Sequence, residues 1–216
     1  MEGSLCNFVV VEALLVVDLQ NDFCPGGALA VPDGDSVIPL ANALIRRAAL
    51  SVITADWHPL EHASFASSHP GAAAGDCGVV GGVQQTLWPV HCVQGSSGAA
   101  FHRDLDTDRA NLILRKGCRQ DLDSYSAFFE NDRRTATGLD GYLRSREVDA
   151  VAIVGLALDY CVAWSAEDAN RLGYRTRVIL PGCRAIQQGE ALVRGMDALR
   201  SAGVSLQSEL DANDWS

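Results

Sequence analysis

Short apolar runs alternate with longer amphipathic segments along most of the chain. The runs are four to six residues long and nearly all apolar, as is typical of strands covered on both faces of a sheet. They lie at residues 13–17, 50–54, 111–114, 150–155 and 176–180. We therefore predict five buried strands.

Three of the intervening segments have the apolar spacing of helices. Residues 35–49 repeat apolar positions with a period near 3.6, and residues 160–172 and 190–201 have the same character. Gly173 and Gly203 follow the last two segments, where glycine commonly ends a helix. Alternating strands and helices predict an α/β fold, a three-layer αβα sandwich around a central, mostly parallel sheet.

Two segments depart from this alternation. Residues 66–86 are small and glycine-rich without a clear period, which predicts a long loop. Residues 207–216 are acidic and polar, which predicts a solvated tail. A chain of 216 residues suits one hydrophobic core, so we expect residues 1–216 to form a single domain.

The charge balance limits the partners. With 17 basic and 27 acidic residues the net charge is −10, which disfavours nucleic acid and anionic membrane surfaces. The apolar stretch at residues 8–17 is short, contains Glu12 and follows no basic residue, so we expect neither a membrane span nor a signal peptide. Seven scattered cysteines without a CxxC pair indicate reduced thiols and a cytoplasmic protein.

Reactive side chains follow four of the predicted strands. Asp18 follows the first, Asp56 and His58 close the second, Lys116 follows the third, and Cys161 comes shortly after the fourth. The carboxyl ends of parallel strands converge at one edge of a sheet, where ligands bind. Each residue alone has an ordinary interpretation as a turn carboxylate, surface lysine or buried thiol, but their coincidence predicts one site.

Cys161 is the candidate nucleophile. It begins a helical segment, where the helix dipole favours a thiolate, whereas burial in the core is the default for the other cysteines. Asp18 could accept the thiol proton if burial raises its pKa, and Lys116 would favour the developing thiolate.

A second cluster has the composition of a metal site. Asp56 and His58 are two residues apart and share a face if extended, and His91 could complete a set of nitrogen and oxygen ligands with open positions. His62 could share a face with His58 only in a helix, which Pro59 disfavours. We therefore expect His62 to support the ligands rather than to bind the metal.

Five ordered motifs resemble the nicotinamidase/pyrazinamidase branch of the isochorismatase-like cysteine hydrolases. The resemblance runs from about residue 13 to residue 186. The motifs are DLQNDFCPGGALAV (18–31), ADWHP with HASF (55–65), LWPVHCVQGSSGA (87–99), RKG (115–117) with YSAF (125–128), and VGLALDYCV (154–162).

The resemblance implies roles for particular residues. It implies a catalytic triad of Asp18, Lys116 and Cys161, and one divalent metal, zinc before iron or manganese, held by Asp56, His58 and His91. It also implies an oxyanion hole from the backbone N–H groups of Ala157 and Cys161, with a cis peptide between Leu156 and Ala157. The residues expected to wall the pocket for a flat ring are Phe23, Trp88, Tyr125 and Tyr160.

The implied reaction is hydrolysis of nicotinamide to nicotinate and ammonia through a cysteine thioester, feeding NAD salvage. Pyrazinamide-like carboxamides are further expected substrates. The metal could orient the hydrolytic water or bind the ring nitrogen. The protein could also form a homo-oligomer. Relatives that act on isochorismate or N-carbamoyl amines are alternatives, but they generally lack the Asp56, His58 and His91 set. A binding protein that retains the fold and a thiol-redox protein are alternatives of other classes; the complete triad and the missing CxxC pair count against them.

Overall fold

The strands form one six-stranded sheet and one separate hairpin in the computed structural model, which describes residues 10–210. The strands are β1 (Glu12–Val17), β2 (Ser51–Asp56), β3 (Cys77–Val80), β4 (Val83–Thr86), β5 (Leu112–Lys116), β6 (Ala150–Leu156), β7 (Arg175–Arg184) and β8 (Ser205–Gln207). The α-helices are α1 (Ile38–Arg47), α2 (Leu139–Arg144), α3 (Ala163–Arg171) and α4 (Glu190–Ser201). The large sheet has the order β5-β2-β1-β6-β7-β8, and its neighbouring strands pair in parallel.

Helices cover both faces of this sheet. Alternate residues of β1 point to opposite sides, so Leu14 and Val16 pack with α1, whereas Leu15 and Val17 pack with α2, α3 and α4. One apolar cluster therefore lies on each face of the sheet. The predicted three-layer αβα sandwich with a parallel sheet is confirmed.

The predicted loop over residues 66–86 was wrong in its second half. A short 3₁₀ turn (Ala66–Ser68) begins the segment, and β3 and β4 then pair antiparallel across Gly81 and Gly82. Both glycines have positive φ, which a two-residue hairpin turn of this hand requires. The glycines suggested an unstructured segment, but two of them form the turn of a hairpin.

Several element boundaries also differ from the prediction. The helix expected over residues 35–49 begins with a 3₁₀ turn (Gly34–Val37) before α1, and a π-helical turn (Leu158–Val162) precedes α3. Gln207, expected in the tail, is the last residue of β8 and accepts a hydrogen bond from Arg177 (2.7 Å). Residues 211–216 of that expected tail lie outside the described residues.

Within residues 10–210, no helix has both the length and the apolar character needed to cross a bilayer.

Four adjacent strands present their carboxyl ends to one edge of the sheet. The order β5-β2-β1-β6 places the residues that end or follow these strands side by side. Gly155 near the end of β6 makes the closest approach to β1, since a Cβ atom there would lie within 3.0 Å of three backbone atoms of Val17. Its φ of +122° is likewise accessible only to glycine.

Gly155→Ala is expected to reduce the free energy of unfolding by about 3 kcal/mol, because the methyl group would push β6 away from β1. Urea unfolding followed by circular dichroism measures this. Gly141→Ala in α2 is the control, since its Cβ would meet no atom within 4 Å and alanine favours a helix by up to about 1 kcal/mol. Equal stability of Gly155→Ala and the parent would contradict the close approach.

Glu130 is a buried carboxylate in the connection between β5 and α2. The residue is 7% exposed, and no group among the described residues hydrogen-bonds its Oε2. Burial raises its pKa to about 7, against the opposing influence of Ser124, Lys116 and Arg119. The folded state therefore favours the protonated acid. The free energy of unfolding falls as the pH rises from about 4.5 towards 7, because the carboxyl group ionises more easily in the unfolded chain.

Glu130→Gln is expected to gain stability relative to the parent protein between pH 5 and pH 8, because glutamine never ionises. The full shift is worth about 3 kcal/mol, which solvent screening reduces to about 1–2 kcal/mol. Urea unfolding at both pH values measures the difference. Glu61→Gln at an exposed position is the matched control, and a Glu130→Gln difference that does not change with pH would refute the assignment.

Candidate active site

Lys116 lies at the centre of the converging strand ends and is fully buried. Its Nζ lies 2.9 Å from Asp18 Oδ2, 2.5 Å from Asp56 Oδ1 and 3.4 Å from Cys161 Sγ, and it donates to the Ser124 carbonyl at 2.9 Å. Burial alone would lower the pKa of Lys116, but the carboxylates of Asp18 and Asp56 raise it well above its usual value. The ammonium is therefore permanently charged. The structure brings together the predicted aspartate, lysine and cysteine.

Asp18 directly follows β1 and its carboxylate is fully buried. Its φ is +50°, and Thr54 Oγ1 on β2 donates to Asp18 Oδ1 at 2.6 Å. Burial raises the pKa of Asp18, while Lys116 opposes the shift. A carboxylate whose pKa is raised in this way is a stronger base than one in water, so Asp18 suits proton transfer.

Cys161 faces this carboxylate from the π-helical turn rather than from the first turn of α3. Burial raises the pKa of the Cys161 thiol well above its usual value, although Lys116 opposes the shift. This burial opposes the thiolate that we expected at a helix terminus, so Cys161 depends on a base to release its proton.

The predicted metal ligands form a second cluster against the first. The Nε2 atoms of His58 and His91 lie 3.6 and 3.9 Å from Asp56 Oδ2. Two ligands about 2.1 Å from one ion are themselves roughly 3 to 3.5 Å apart, so a small inward movement would fit one divalent cation. Asp56 also contacts Lys116 through its other oxygen, which joins the two clusters.

Both imidazoles are oriented by backbone carbonyls. Nδ1 of His58 lies 2.9 Å from the Gly117 oxygen, and Nδ1 of His91 lies 2.8 Å from the Pro89 oxygen. Each Nδ1–H can donate to its carbonyl, which leaves Nε2 free to accept a metal. Burial lowers the pKa of His91 to about 4, whereas the Asp56 carboxylate outweighs burial and raises the pKa of His58.

His62 lies beside this cluster with its ring nitrogens already in contact with protein groups. Nδ1 lies 2.7 Å from Ser64 Oγ, and Nε2 lies 3.3 Å from the Leu122 carbonyl. Its ring packs against that of His58 with centroids 4.3 Å apart. These contacts favour the supporting role that we predicted for His62, although His58, His62 and Asp123 also lie close enough together to hold an ion.

A cavity opens above both clusters, and the four predicted aromatic residues line it. Trp88 Nε1 donates to the Tyr125 hydroxyl at 2.9 Å, and Tyr160 packs edge-on against both of these rings. Phe23 packs against His91 with ring centroids 5.6 Å apart. The cavity therefore suits a flat ring bound between a thiol and a metal cluster.

The predicted oxyanion residues line the same cavity. Ala157 immediately precedes the π-helical turn that carries Cys161, and the peptide bond between Leu156 and Ala157 is cis, as predicted.

Sequence reasoning missed several residues of this site. Thr54 carried a signal, since it is a polar residue between the apolar Ile53 and Ala55 in a buried strand. Leu29, Asp123 and Ile186 line the cavity from connecting segments, where no periodicity predicts orientation. Gln20 contacts both backbone groups of Asp56, with 2.8 Å separations, and so fixes a predicted metal ligand.

Known proteins resemble this chain over nearly its whole length. The nicotinamidase of Acinetobacter baylyi is 48% identical over 89% of this chain and 90% of its own. That of Escherichia coli is 46% identical over 93% of this chain and 96% of its own.

Solved structures agree with these sequence relatives. The nicotinamidase/pyrazinamidase structure from Acinetobacter baumanii has a TM-score of 0.89 and 45% identity, covering 93% of this chain and 97% of that one. The Leishmania protein PnC1 (L. infantum), crystallised with nicotinate, has a TM-score of 0.80 and 36% identity, covering 95% and 97%. The Pyrococcus horikoshii pyrazinamidase, crystallised with zinc, has a TM-score of 0.74 and 37% identity, covering 91% and 98%.

The isochorismatase domain model matches residues 12–208, which span the sheet, both helical layers and every residue of the site described above. The chain therefore belongs to the isochorismatase family.

Proposed function

We propose that the protein is a nicotinamidase, which hydrolyses nicotinamide to nicotinate and ammonia. The observation that carries this proposal is the meeting of Asp18, Lys116 and Cys161 in an aromatic cavity beside the Asp56, His58 and His91 cluster. The nicotinamidase relatives, at 46–48% identity, support the same substrate. The metal cluster favours this reaction over that of relatives acting on isochorismate or N-carbamoyl amines.

Acylation begins with transfer of the Cys161 thiol proton to Asp18. The thiolate attacks the amide carbonyl, and the backbone N–H groups of Ala157 and Cys161 stabilise the tetrahedral oxyanion. Asp18 then returns the proton to the leaving nitrogen, which departs as ammonia and leaves a nicotinoyl thioester. Lys116 stabilises the negative charge as it moves between carboxylate and sulfur.

Deacylation reverses the same proton path. Asp18 takes a proton from a water molecule while the water oxygen attacks the thioester. Asp18 then returns that proton to the departing sulfur of Cys161. The products are nicotinate and the free thiol. The balance is one amide and one water consumed, with one acid and one ammonia released.

Substrate binding is assigned to the aromatic wall. We place the pyridine ring between Phe23, Trp88, Tyr125 and Tyr160, with its carboxamide towards Cys161. A flat ring with a single carboxamide is the shared feature of nicotinamide and pyrazinamide, so both are expected substrates. Nicotinate formed here would enter NAD salvage, and the need for a free thiol favours a reducing compartment, for which we propose the cytoplasm.

Asp56, His58 and His91 would hold one divalent metal, for which we propose zinc. Two nitrogens and one oxygen on one side of an ion leave its other positions open. The zinc complex of the Pyrococcus horikoshii pyrazinamidase supports this choice. Such a metal supplies Lewis-acid chemistry and a site for water or a ring nitrogen.

Cys161→Ala is expected to lower ammonia release from nicotinamide by about 10³-fold or more, because no other group replaces the attacking sulfur. Mass spectrometry of the acid-quenched parent protein should find the nicotinoyl group on the peptide that contains Cys161. Cys183→Ala removes another buried thiol outside the cavity and should keep the parent rate. Ammonia release by Cys161→Ala at the parent rate would exclude this nucleophile.

His91→Ala is expected to lose bound zinc, whereas His62→Ala should retain it, because His91 Nε2 faces Asp56 while both ring nitrogens of His62 contact other protein groups. Equilibrium dialysis followed by atomic emission gives the zinc content of each variant independently of activity. Circular dichroism confirms that both variants are folded. The assignment fails if His62→Ala loses the metal and His91→Ala keeps it.

A further inference from the structure

A chain of three hydrogen-bonded side chains connects the β3–β4 hairpin to the segment that carries Tyr125. Gln85 on β4 donates from Nε2 to Asp123 Oδ2 at 2.6 Å, and Asn131 Nδ2 donates to Gln85 Oε1 at 2.8 Å. The backbone N–H of Tyr125 donates to Asn131 Oδ1 at 2.8 Å. Gln85, Asp123 and Asn131 are all more than nine-tenths buried. Unpaired polar groups at such positions are costly, so the chain is a specific feature of the fold.

The groups at the two ends fix the orientation of both side-chain amides. A backbone N–H can only donate, so Asn131 must present its oxygen to Tyr125 and its nitrogen to Gln85. Gln85 must then accept from Asn131 and donate to the carboxylate of Asp123. Each amide can therefore satisfy its neighbours in one orientation only.

This chain fixes the backbone that carries part of the active site. Asp123 Oδ1 also accepts from the Ser124 N–H at 2.8 Å, and the Asp123 carbonyl accepts from the Asn131 N–H at 2.7 Å. The segment held in this way presents the Ser124 carbonyl to Lys116 and the Tyr125 ring to the cavity.

Tyr125 depends on the chain more than Lys116 does. Lys116 has three further partners in Asp18, Asp56 and Cys161, so it tolerates a displaced carbonyl. The Tyr125 side chain has one hydrogen bond among the described residues, from Trp88, and its ring otherwise makes only edge-on contacts with Trp88, Tyr160 and Trp164.

We propose that Gln85 is a positioning residue for substrate binding. Through Asp123 and Asn131 it fixes Tyr125 at the depth where the ring contacts a bound pyridine. The hairpin of β3 and β4 thereby determines the affinity for flat heteroaromatic carboxamides. This inference rests on the proposed nicotinamidase function.

Gln85→Leu tests the proposal, because leucine has a similar size and leaves Asp123 and Asn131 without their partner. We expect the KM for nicotinamide to rise about tenfold while kcat changes less than about threefold. Gln84→Leu, an exposed neighbour on the same strand, should keep both constants. A purely structural role would lower the melting temperature of Gln85→Leu and leave its KM unchanged, and this result would overturn the proposal.

Two further variants keep the test decisive. Gln85→Glu can still accept from Asn131 but opposes the Asp123 carboxylate, so it should also raise KM, and it replaces the leucine variant if that fails to fold. Asn131→Leu breaks the same chain, so combining it with the substitution at Gln85 should raise KM no further than the larger single effect. Additive effects would overturn the proposal.

The parent protein is assayed in parallel. The absence of nicotinamide hydrolysis by the parent would refute the nicotinamidase function, whereas an unchanged KM in active variants would refute only the role of Gln85.

Discussion

The buried ammonium of Lys116 is the constraint on which the site depends. A charge removed from water is tolerated only where opposite charges and hydrogen-bond acceptors surround it. Asp18, Asp56 and the Ser124 carbonyl provide these partners, and each comes from a different part of the chain. The lysine therefore brings three segments to one point, and the thiol of Cys161 lies beside it. Catalytic geometry and charge compensation are satisfied by the same contacts.

Asp56 connects this charge to the metal cluster. One of its oxygens contacts Lys116 and the other faces His58 and His91. Its backbone is held by Gln20, two residues beyond the base Asp18. A displacement of the base would thus be transmitted to the metal ligand Asp56 through Gln20 and through Lys116. The two clusters are one connected structure rather than two neighbouring sites.

The sequence was informative where burial imposes a period. Continuous apolar runs identified the parallel strands, and charged residues directly after them identified Asp18, Asp56 and Lys116. The hairpin of β3 and β4 was missed because its short strands are largely exposed and follow no buried period. Asp123 and Ile186 were missed because their orientation depends on long-range contacts of irregular segments. The roles of the aromatic residues came from resemblance to a family and not from spacing.

Loss of solvent explains why the site requires all of its parts. Burial raises the pKa of both the thiol and the carboxylate, so neither group alone is set to react. A proton shared between two groups that both avoid charge moves with little change in solvation, while the fixed ammonium stabilises whichever group is ionised. The burial of Lys116 is thus part of the chemistry, since bulk water at its ammonium would weaken the field that assists the transfer.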